Sequence, residues 1–157
     1  MPSARMQDWI LRIALQAAWA PVAVLALHFV AADGLAAYER WPNLDIPMHV
    51  LGGMAIAWLV HTASRLGVAM GVLGSYGGVV HAALMIGLTC AATIFWEFAE
   101  FLADTYLGTN MQGGDLNDTL LDMLLGMAGG ALVLLVTGAA GRWPTMSKER
   151  VELPDRL

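Results

Sequence analysis

Four long apolar segments restrict what this chain can fold into more than any other feature of its sequence. They cover residues 9–32, 46–64, 79–103 and 118–140. A helix rises about 1.5 Å per residue, so each segment is near or above the length that crosses about 30 Å of hydrocarbon. Because a segment in lipid must satisfy its backbone hydrogen bonds internally, helices are expected. We predict an all-α integral membrane protein with four transmembrane helices in one bundle.

The composition supports a membrane location and argues against nucleic-acid binding. Of the 157 residues, 58% are hydrophobic and 13% are charged, whereas a soluble domain carries about twice that charged fraction. A net charge of −5 without clustered Lys and Arg does not suit nucleic acid. The single cysteine, Cys90, provides no disulfide framework. We therefore expect membrane lipid, and no nucleic acid, as a partner.

The basic residues predict the orientation of the four segments. Seven of the eight would lie on the cytoplasmic side: Arg5, Arg12, Arg65, Arg142, Lys148, Arg150 and Arg156. Only Arg40 lies on the other side, and basic residues concentrate in cytoplasmic loops. We predict a multi-pass protein of the bacterial inner membrane with both termini cytoplasmic. Residues 1–141 would form one four-helix domain, and residues 142–157 a polar cytoplasmic tail.

Three local features refine this arrangement. We interpret residues 9–32 as a retained first helix rather than a cleaved signal peptide, with a kink at Pro21. Gly126 and Gly130 form a face of small residues for close helix packing. The Gly-rich residues 66–78 fit either an interfacial loop or an extension of the third helix.

Acidic residues and one histidine occur where this topology brings three helix ends to the outer face. They are Asp45 and His49 in the second segment, Glu97, Glu100 and Asp104 in the third, and Asp115, Asp118 and Asp122 around the start of the fourth. Three parts of the chain that are distant in sequence are thus expected to form one site.

The acids of the third helix are the hardest to explain without a ligand. Glu97, Glu100 and Asp104 follow one another at i, i+3 and i+7, on one stripe of the helix. They repel one another and the negative end of the helix, in surroundings of low dielectric. Arg40 is the only basic residue on that side. A bound metal ion or protonation of some carboxyls remains to offset the repulsion.

Other acids have simpler explanations. Asp45 and Asp118 stand where helix N-caps are expected, and capping alone would account for either of them. Asp115 lies in a Gly-rich loop and is expected to be solvated. His49 and Asp122 lie about one turn deeper, where ionisable groups usually face a bundle interior or a cavity.

These residue types predict a divalent-metal site. Oxygen-rich ligation with one imidazole suits Mg, Mn or Ca, or a pair of Zn or Fe ions. We assign as ligands His49, Glu97, Glu100, Asp118 and Asp122. Asp45 would support the ligands from outside the metal sphere, and Asp104 would act as a catalytic base. Such a site could activate water or hold a phosphate.

Two classes of function fit this site. The first is a metal-dependent hydrolase or group transferase that acts on a lipid or lipid-linked substrate at the outer membrane face. The alternative is a non-enzymatic membrane subunit or transport module that binds a cation or protons at the same acids. A structural accessory subunit is a third reading. Assembly into a larger membrane complex or a homo-oligomer is open in each case.

The four histidines offer a rival cofactor hypothesis. His28, His49, His61 and His81 could form two bis-histidine haem sites, one near each membrane face. On an ideal helix, however, the twelve residues between His49 and His61 turn them about 120° apart, which does not favour stacked haems on one face.

Short motifs in this region resemble those of a known family. They are Asp45-x-x-x-His49-x-x-Gly52, Trp96-Glu97-x-x-Glu100, Leu107-Gly108-Thr109, Gln112-Gly113 and Asp118-x-x-x-Asp122-Met123. In this order they resemble the YjdF-like bacterial inner-membrane proteins and, more distantly, the VanZ-like proteins. This chain departs by lacking an Arg after Asp45 and by inserting residues between Thr109 and Gln112. The resemblance implies a membrane location and these site residues, but no particular reaction.

Overall fold

The computed structural model describes residues 2–109, 111–112 and 115–139, and within these ranges it contains helices and no strand. The helices are α1 (Pro2–Gln16), α2 (Trp19–Phe29), α3 (Ala37–Arg40), α4 (Asp45–Ala69), α5 (Gly78–Leu107) and α6 (Leu116–Ala139). A π-helical turn, Val30–Gly34, extends α2, and a 3-10 turn, Pro42–Leu44, leads into α4. The predicted all-α class is confirmed. The predicted tail at 142–157 lies outside the described residues.

Three of the described helices are long and apolar enough to cross a membrane, namely α4, α5 and α6. A fourth crossing exists if α1 and α2 form one broken span, since Ala4–Gln16 and Trp19–Ala32 pass the same test together with a bend of 47°. The structure thus supports three to four spans. The cytoplasmic placement of both termini stays a prediction.

The bend in the first segment has a local cause in Pro21. Proline has no N–H, and its ring clashes with the carbonyl four residues earlier. That carbonyl belongs to Ala17, and it accepts the N–H of Ala20 at 3.2 Å instead. The break therefore falls at residues 17–18, one turn before the proline.

The Gly-rich region that the sequence left open divides between a helix and a turn. Helix α4 continues to Ala69, and α5 begins at Gly78. Between them, Gly71 has a φ of +68°, a conformation that suits glycine. The carbonyl of Gly67 accepts the N–H groups of Val72 and Leu73, at 2.8 and 2.9 Å. These bonds end α4 and reverse the chain.

Helix α4 lies at the centre of the bundle and contacts α1, α2, α5 and α6. Glycines allow α6 to approach both of its neighbours. A Cβ atom at Gly53 of α4 would overlap the backbone of Gly126, and one at Gly129 would overlap the carbonyl of Val50. Gly126 and Gly130 pack against Thr93 and Thr89 of α5. The predicted small-residue face is therefore an interface with α5, while Gly129 contacts α4.

Candidate functional site

His49 stands at the centre of a group of acids where α4 begins, α5 nears its end and α6 begins. Its Nε2 atom lies 3.2 Å from Asp45 Oδ1 and 3.7 Å from Asp122 Oδ1. Its Nδ1 atom lies 3.9 Å from Glu97 Oε1 on α5. With Glu100, these residues form what we call the acidic cluster: Asp45, His49, Glu97, Glu100 and Asp122. Three helices thus meet around one imidazole.

Three residues of the acidic cluster lie close enough together that they could hold a metal ion. One ligand atom each from Asp45, His49 and Asp122 lies within 4.8 Å of the others. Oxygen and nitrogen ligands bind Zn²⁺ at about 2.0–2.2 Å, and three protein ligands leave a coordination position open. Small side-chain movements would bring these three atoms to one ion.

Three of the four carboxylates of the cluster are deeply buried, and Asp45 is partly exposed. Glu97, Glu100 and Asp122 are each 5% exposed. Within the described part of the chain, neither oxygen of Glu97 has a hydrogen-bond partner. A buried carboxylate without partners is costly unless a cation neutralises it or it takes up a proton. Glu97 is therefore the carboxyl of the cluster whose burial most needs a proton or a cation.

Asp104 has a different place from the one predicted for it. Its carboxylate accepts hydrogen bonds from the Thr109 hydroxyl and from the backbone N–H groups of Met111 and Gln112. The side chain of Gln112 in turn donates to the backbone carbonyl of Glu97 at 3.1 Å. Asp104 thus folds the loop after α5 back towards the cluster. A role as catalytic base stays a prediction, because these contacts alone account for the residue.

The capping explanations of Asp45 and Asp118 are wrong. Asp45 is the first residue of α4, no side chain caps that helix, and its carboxylate pairs with His49 instead. Asp118 lies inside α6, and the exposed Asp115 accepts the N–H of Asn117 at 2.9 Å in its place. The group of possible ligand atoms contains Asp45, which the sequence had placed outside the metal sphere, and does not contain Asp118, Glu97 or Glu100; the assignments of these residues stay predictions.

Two residues that the sequence did not assign to the site lie beside it. His28 Nδ1 and Tyr38 Oη are 2.9 Å apart, and the His28 ring packs edge-on against Trp96 at 5.4 Å. A left-handed turn at Ala36, with a φ of 47°, brings Tyr38 back to α2. Burial, and then the negative charges of Asp45 and Glu100, raise the pKa of Tyr38 to about 12. Its hydroxyl therefore keeps its proton.

A cavity of about 260 Å³ adjoins the cluster between α2, α4 and α5. Its walls are mostly apolar, with Leu25, Ile56 and Ala92 among them, and His28 and His49 line it as well. Apolar walls with a few polar groups are typical of small-molecule sites. A second cavity, of about 420 Å³, lies between α5 and α6 and is lined by Glu97. The acidic cluster thus has a cavity on each of two sides.

The bis-histidine haem hypothesis receives no support from these contacts. His61 Nδ1 and His81 Nε2 are 3.0 Å apart, in direct hydrogen bond, which leaves no space for an iron between them. His28 contacts Tyr38, and His49 contacts Asp45. We call His61 and His81 the histidine pair.

Comparison with known families gives one match over most of the chain. Residues 6–142 match the family described as "Predicted membrane protein (DUF2238)". The chain belongs to this family. No curated protein and no solved structure matches it. The family and the three to four apolar helices support the predicted membrane protein with transmembrane helices, while the YjdF-like and VanZ-like resemblances stay predictions.

Of the predicted ligands, the structure brings together His49, Glu97 and Asp122, and it adds Asp45 to them. Glu100 is buried close enough for its charge to act on His49. His28 and Tyr38 were missed because each contacts the other across ten residues and a turn. One signal could have found His28. A histidine within an apolar segment is a candidate site residue in its own right.

Proposed function

We propose that the acidic cluster binds a divalent cation and that the protein is a metal-dependent hydrolase or group transferase acting on a lipid or lipid-linked substrate. The observation that carries this proposal is Glu97, whose two buried oxygens lack hydrogen-bond partners among the described residues and lie beside His49. Asp45, His49 and Asp122 offer three ligand atoms at the same place.

The charge of the cluster supports a cation rather than an anion. It combines four carboxyl groups with one imidazole. Among the described residues, His49 supplies every ion pair that these acids form, and no lysine or arginine pairs with them. A divalent ion would offset the mutual repulsion of buried carboxylates that otherwise have to share protons.

The donor set narrows the metal to a group of candidates. Carboxylate oxygens suit Mg²⁺ and Mn²⁺, and a mixture of carboxylate and imidazole also suits Zn²⁺ and Fe²⁺. Asp45, His49 and Asp122 would hold the ion, with Glu97 and Glu100 facing it as a further ligand or as a base. When bound, such an ion polarises a phosphoryl or carbonyl oxygen and lowers the pKa of a bound water.

The cavity beside the site supports a lipid substrate. It lies between helices that are long enough to cross a membrane, and its walls are apolar apart from a few groups that include His28 and His49. An acyl or isoprenoid chain would occupy the apolar part while its polar head reaches the cluster. The distribution of basic residues favours an orientation with this end of the bundle at the outer face of the membrane.

Metal analysis of detergent-purified protein tests the cation site. The wild-type protein should retain a stoichiometric divalent metal, and Glu97→Gln and Asp122→Asn should each lose it while the proteins remain folded by thermal unfolding. Asp115→Asn is the matched control, because Asp115 is exposed and caps α6. Full metal content in both cluster variants would refute the site. Reaction is then tested by mass spectrometry of phospholipid vesicles that contain the metal-loaded protein.

A second function rests on the same observation. Glu97 can also satisfy its burial by holding a proton, in which case the protein is a non-enzymatic subunit or transport module that binds protons or a cation. Metal-free wild-type protein would then show the infrared C=O band of a protonated carboxyl. Glu97→Gln would remove that band. A stoichiometric metal in the purified protein, together with the absence of the C=O band, would favour the metal site over the proton-binding site.

A further inference from the structure

The histidine pair, far from the acidic cluster, is a second buried polar site. His61 belongs to α4 and His81 to the first turn of α5, and they are 9% and 7% exposed. His61 lies twelve residues beyond His49, which is about 18 Å along the helix axis. We propose that the histidine pair is a proton-transfer site, in which a proton passes between two imidazoles that share one hydrogen bond.

The geometry of the two rings suits this role. His61 Nδ1 faces His81 Nε2 at 3.0 Å, a normal distance for a hydrogen bond between two nitrogens. Trp58 stacks on His61 at 6.2 Å, and Tyr76 stacks on His81 at 6.1 Å. The two imidazole planes are 61° apart, and an aromatic ring beside each imidazole restricts its rotation.

An unsatisfied atom marks where a proton would enter the pair. Within the described residues, His81 Nδ1 and the Tyr76 hydroxyl are buried and have no hydrogen-bond partner. Buried polar atoms are nearly always paired, so an exception needs an explanation. If the Nε2–H group of His81 donates to His61, the Nδ1 atom of His81 carries no hydrogen and can accept a proton.

The transfer balances with a hydronium ion that gives its proton to one ring and a water molecule that accepts a proton from the other. At the start, each ring carries its proton on Nε2, and His81 Nε2–H donates to His61 Nδ1. A proton then binds His81 Nδ1, the Nε2 proton of His81 moves to His61 Nδ1, and His61 releases its own proton from Nε2. Both rings end neutral in the other tautomer, and the same hydrogen bond persists with its direction reversed.

The surroundings favour a proton over a metal ion. Among the described residues, no third His, Cys, Asp or Glu joins the pair in a ligand group. The charge of Arg65, one turn further along α4, acts on both imidazoles. On α1, Arg5 lies beside Gly71, and Asp8 and Arg12 pair with each other at 3.3 Å. The last turns of α6, from residue 131 on, have no titratable side chain. A nearby cation and only two ligand atoms suit a transient proton better than a resident divalent ion.

Nitrogen NMR of the full chain in bilayers, labelled with ¹⁵N-histidine, tests this proposal. The sequence has only four histidines, so single His→Gln variants assign the signals. We expect a coupling through the hydrogen bond between His61 Nδ1 and His81 Nε2, and tautomer-averaged shifts that separate on cooling. His61→Gln and His81→Gln should abolish both signatures, whereas the control His28→Gln should leave them unchanged.

Two results would overturn the proposal. One fixed tautomer for each ring at all temperatures would make the pair a static structural contact. Metal-shifted signals from both rings after one equivalent of Zn²⁺ would make it a metal site. If the His61 and His81 variants fail to fold, the temperature series on the wild-type protein still decides between moving and fixed protons. The readouts are separate from the proposed metal site, because they are the signals of His61 and His81, whereas a metal ion in the acidic cluster would shift those of His49.

Discussion

The acidic cluster and the histidine pair both include residues of helix α4. They compensate for the burial of polar groups in opposite ways. A carboxylate in a buried site must find a cation or a proton, because its charge is poorly solvated there. An imidazole can stay neutral and still offer both a donor and an acceptor. The carboxylates of the cluster therefore need a cation or protons to offset their charge. The two imidazoles of the histidine pair instead form a hydrogen bond with each other.

The two sites also differ in how many elements they need. The cluster joins α4, α5 and α6 and depends on the loop that Asp104 folds back. The pair needs α4, the start of α5 and Tyr76 from the turn between them. A site built from three helices is sensitive to how α6 packs, and a site within one helical hairpin is not. Four substitutions test this comparison.

Removal of the central imidazole should have the largest effect. His49→Ala should weaken metal binding by at least about 100-fold, because even residues that only orient metal ligands contribute about 10–100-fold. His61→Ala is the matched control and should keep wild-type metal affinity. Metal titration monitored by calorimetry measures both. Equal losses of metal affinity in His49→Ala and His61→Ala would mean that the two ends of α4 do not act independently.

A larger side chain between α4 and α6 should disturb the acidic cluster and leave the histidine pair unchanged. Gly53→Ala would place a methyl group in the backbone of Gly126, and overpacking of this kind costs about 1–3 kcal/mol. Gly52→Ala is the control, because a Cβ there meets nothing within 4 Å. Thermal unfolding should show the loss for Gly53→Ala alone. In the ¹⁵N-histidine spectrum of Gly53→Ala, the His49 signals should change and those of the histidine pair should not. A change in the signals of the pair would show that the two sites are coupled through α4.

Release of the loop after α5 should have a smaller effect. Asp104→Asn weakens three hydrogen bonds, and we expect a small loss of stability because solvent screens the contribution of an exposed carboxylate. Because Gln112 holds the backbone of Glu97, metal affinity should fall by less than about 10-fold, in contrast to the loss of a ligand. Chemical unfolding and metal titration measure the two changes. A complete loss of metal would instead favour Asp104 as a ligand or a base.

The contact between Tyr38 and His28 should have the smallest effect, and its pH dependence has a definite sign. Tyr38→Phe removes one hydrogen bond, which is worth about 1 kcal/mol. Burial raises the pKa of Tyr38 from 10.0 to about 12, so the folded protein favours the protonated hydroxyl. That contribution is complete below pH 10.0 and is lost as the pH rises through about 12. Unfolding at several pH values should show the difference between wild type and Tyr38→Phe shrinking above pH 10.0; a constant difference would contradict the raised pKa.

Much of the fold and part of the site could be predicted from local patterns. Apolar length alone indicated α4, α5 and α6, and Pro21 indicated the break between α1 and α2. The i, i+3 spacing of Glu97 and Glu100 placed both on one stripe, and both are buried. These features depend on neighbours in the chain, so helical periodicity suffices to find them.

Some assignments failed because they depend on contacts between helices. Capping explained Asp45 and Asp118 from position alone, but the nearby imidazole of His49 pairs with Asp45, and Asp115 caps α6 instead. The twelve-residue separation of His49 and His61 suggested only which faces they occupy. It carried no information about His81, which approaches His61 from another helix.

The sequence by itself determined the membrane-spanning helices and the presence of acids at one end of them, because hydropathy and helical spacing are properties of continuous segments. Only the tertiary structure decided which of those acids surround His49, that Glu97 is buried without a partner, and that His61 and His81 share a hydrogen bond. For the acidic cluster, the physical reason is the close packing of α6 on α4 and α5 at Gly53, Gly126 and Gly129, and for the histidine pair it is the turn that brings α5 back against α4. The distance between side chains on different helices depends on such backbone contacts, and no local pattern specifies them.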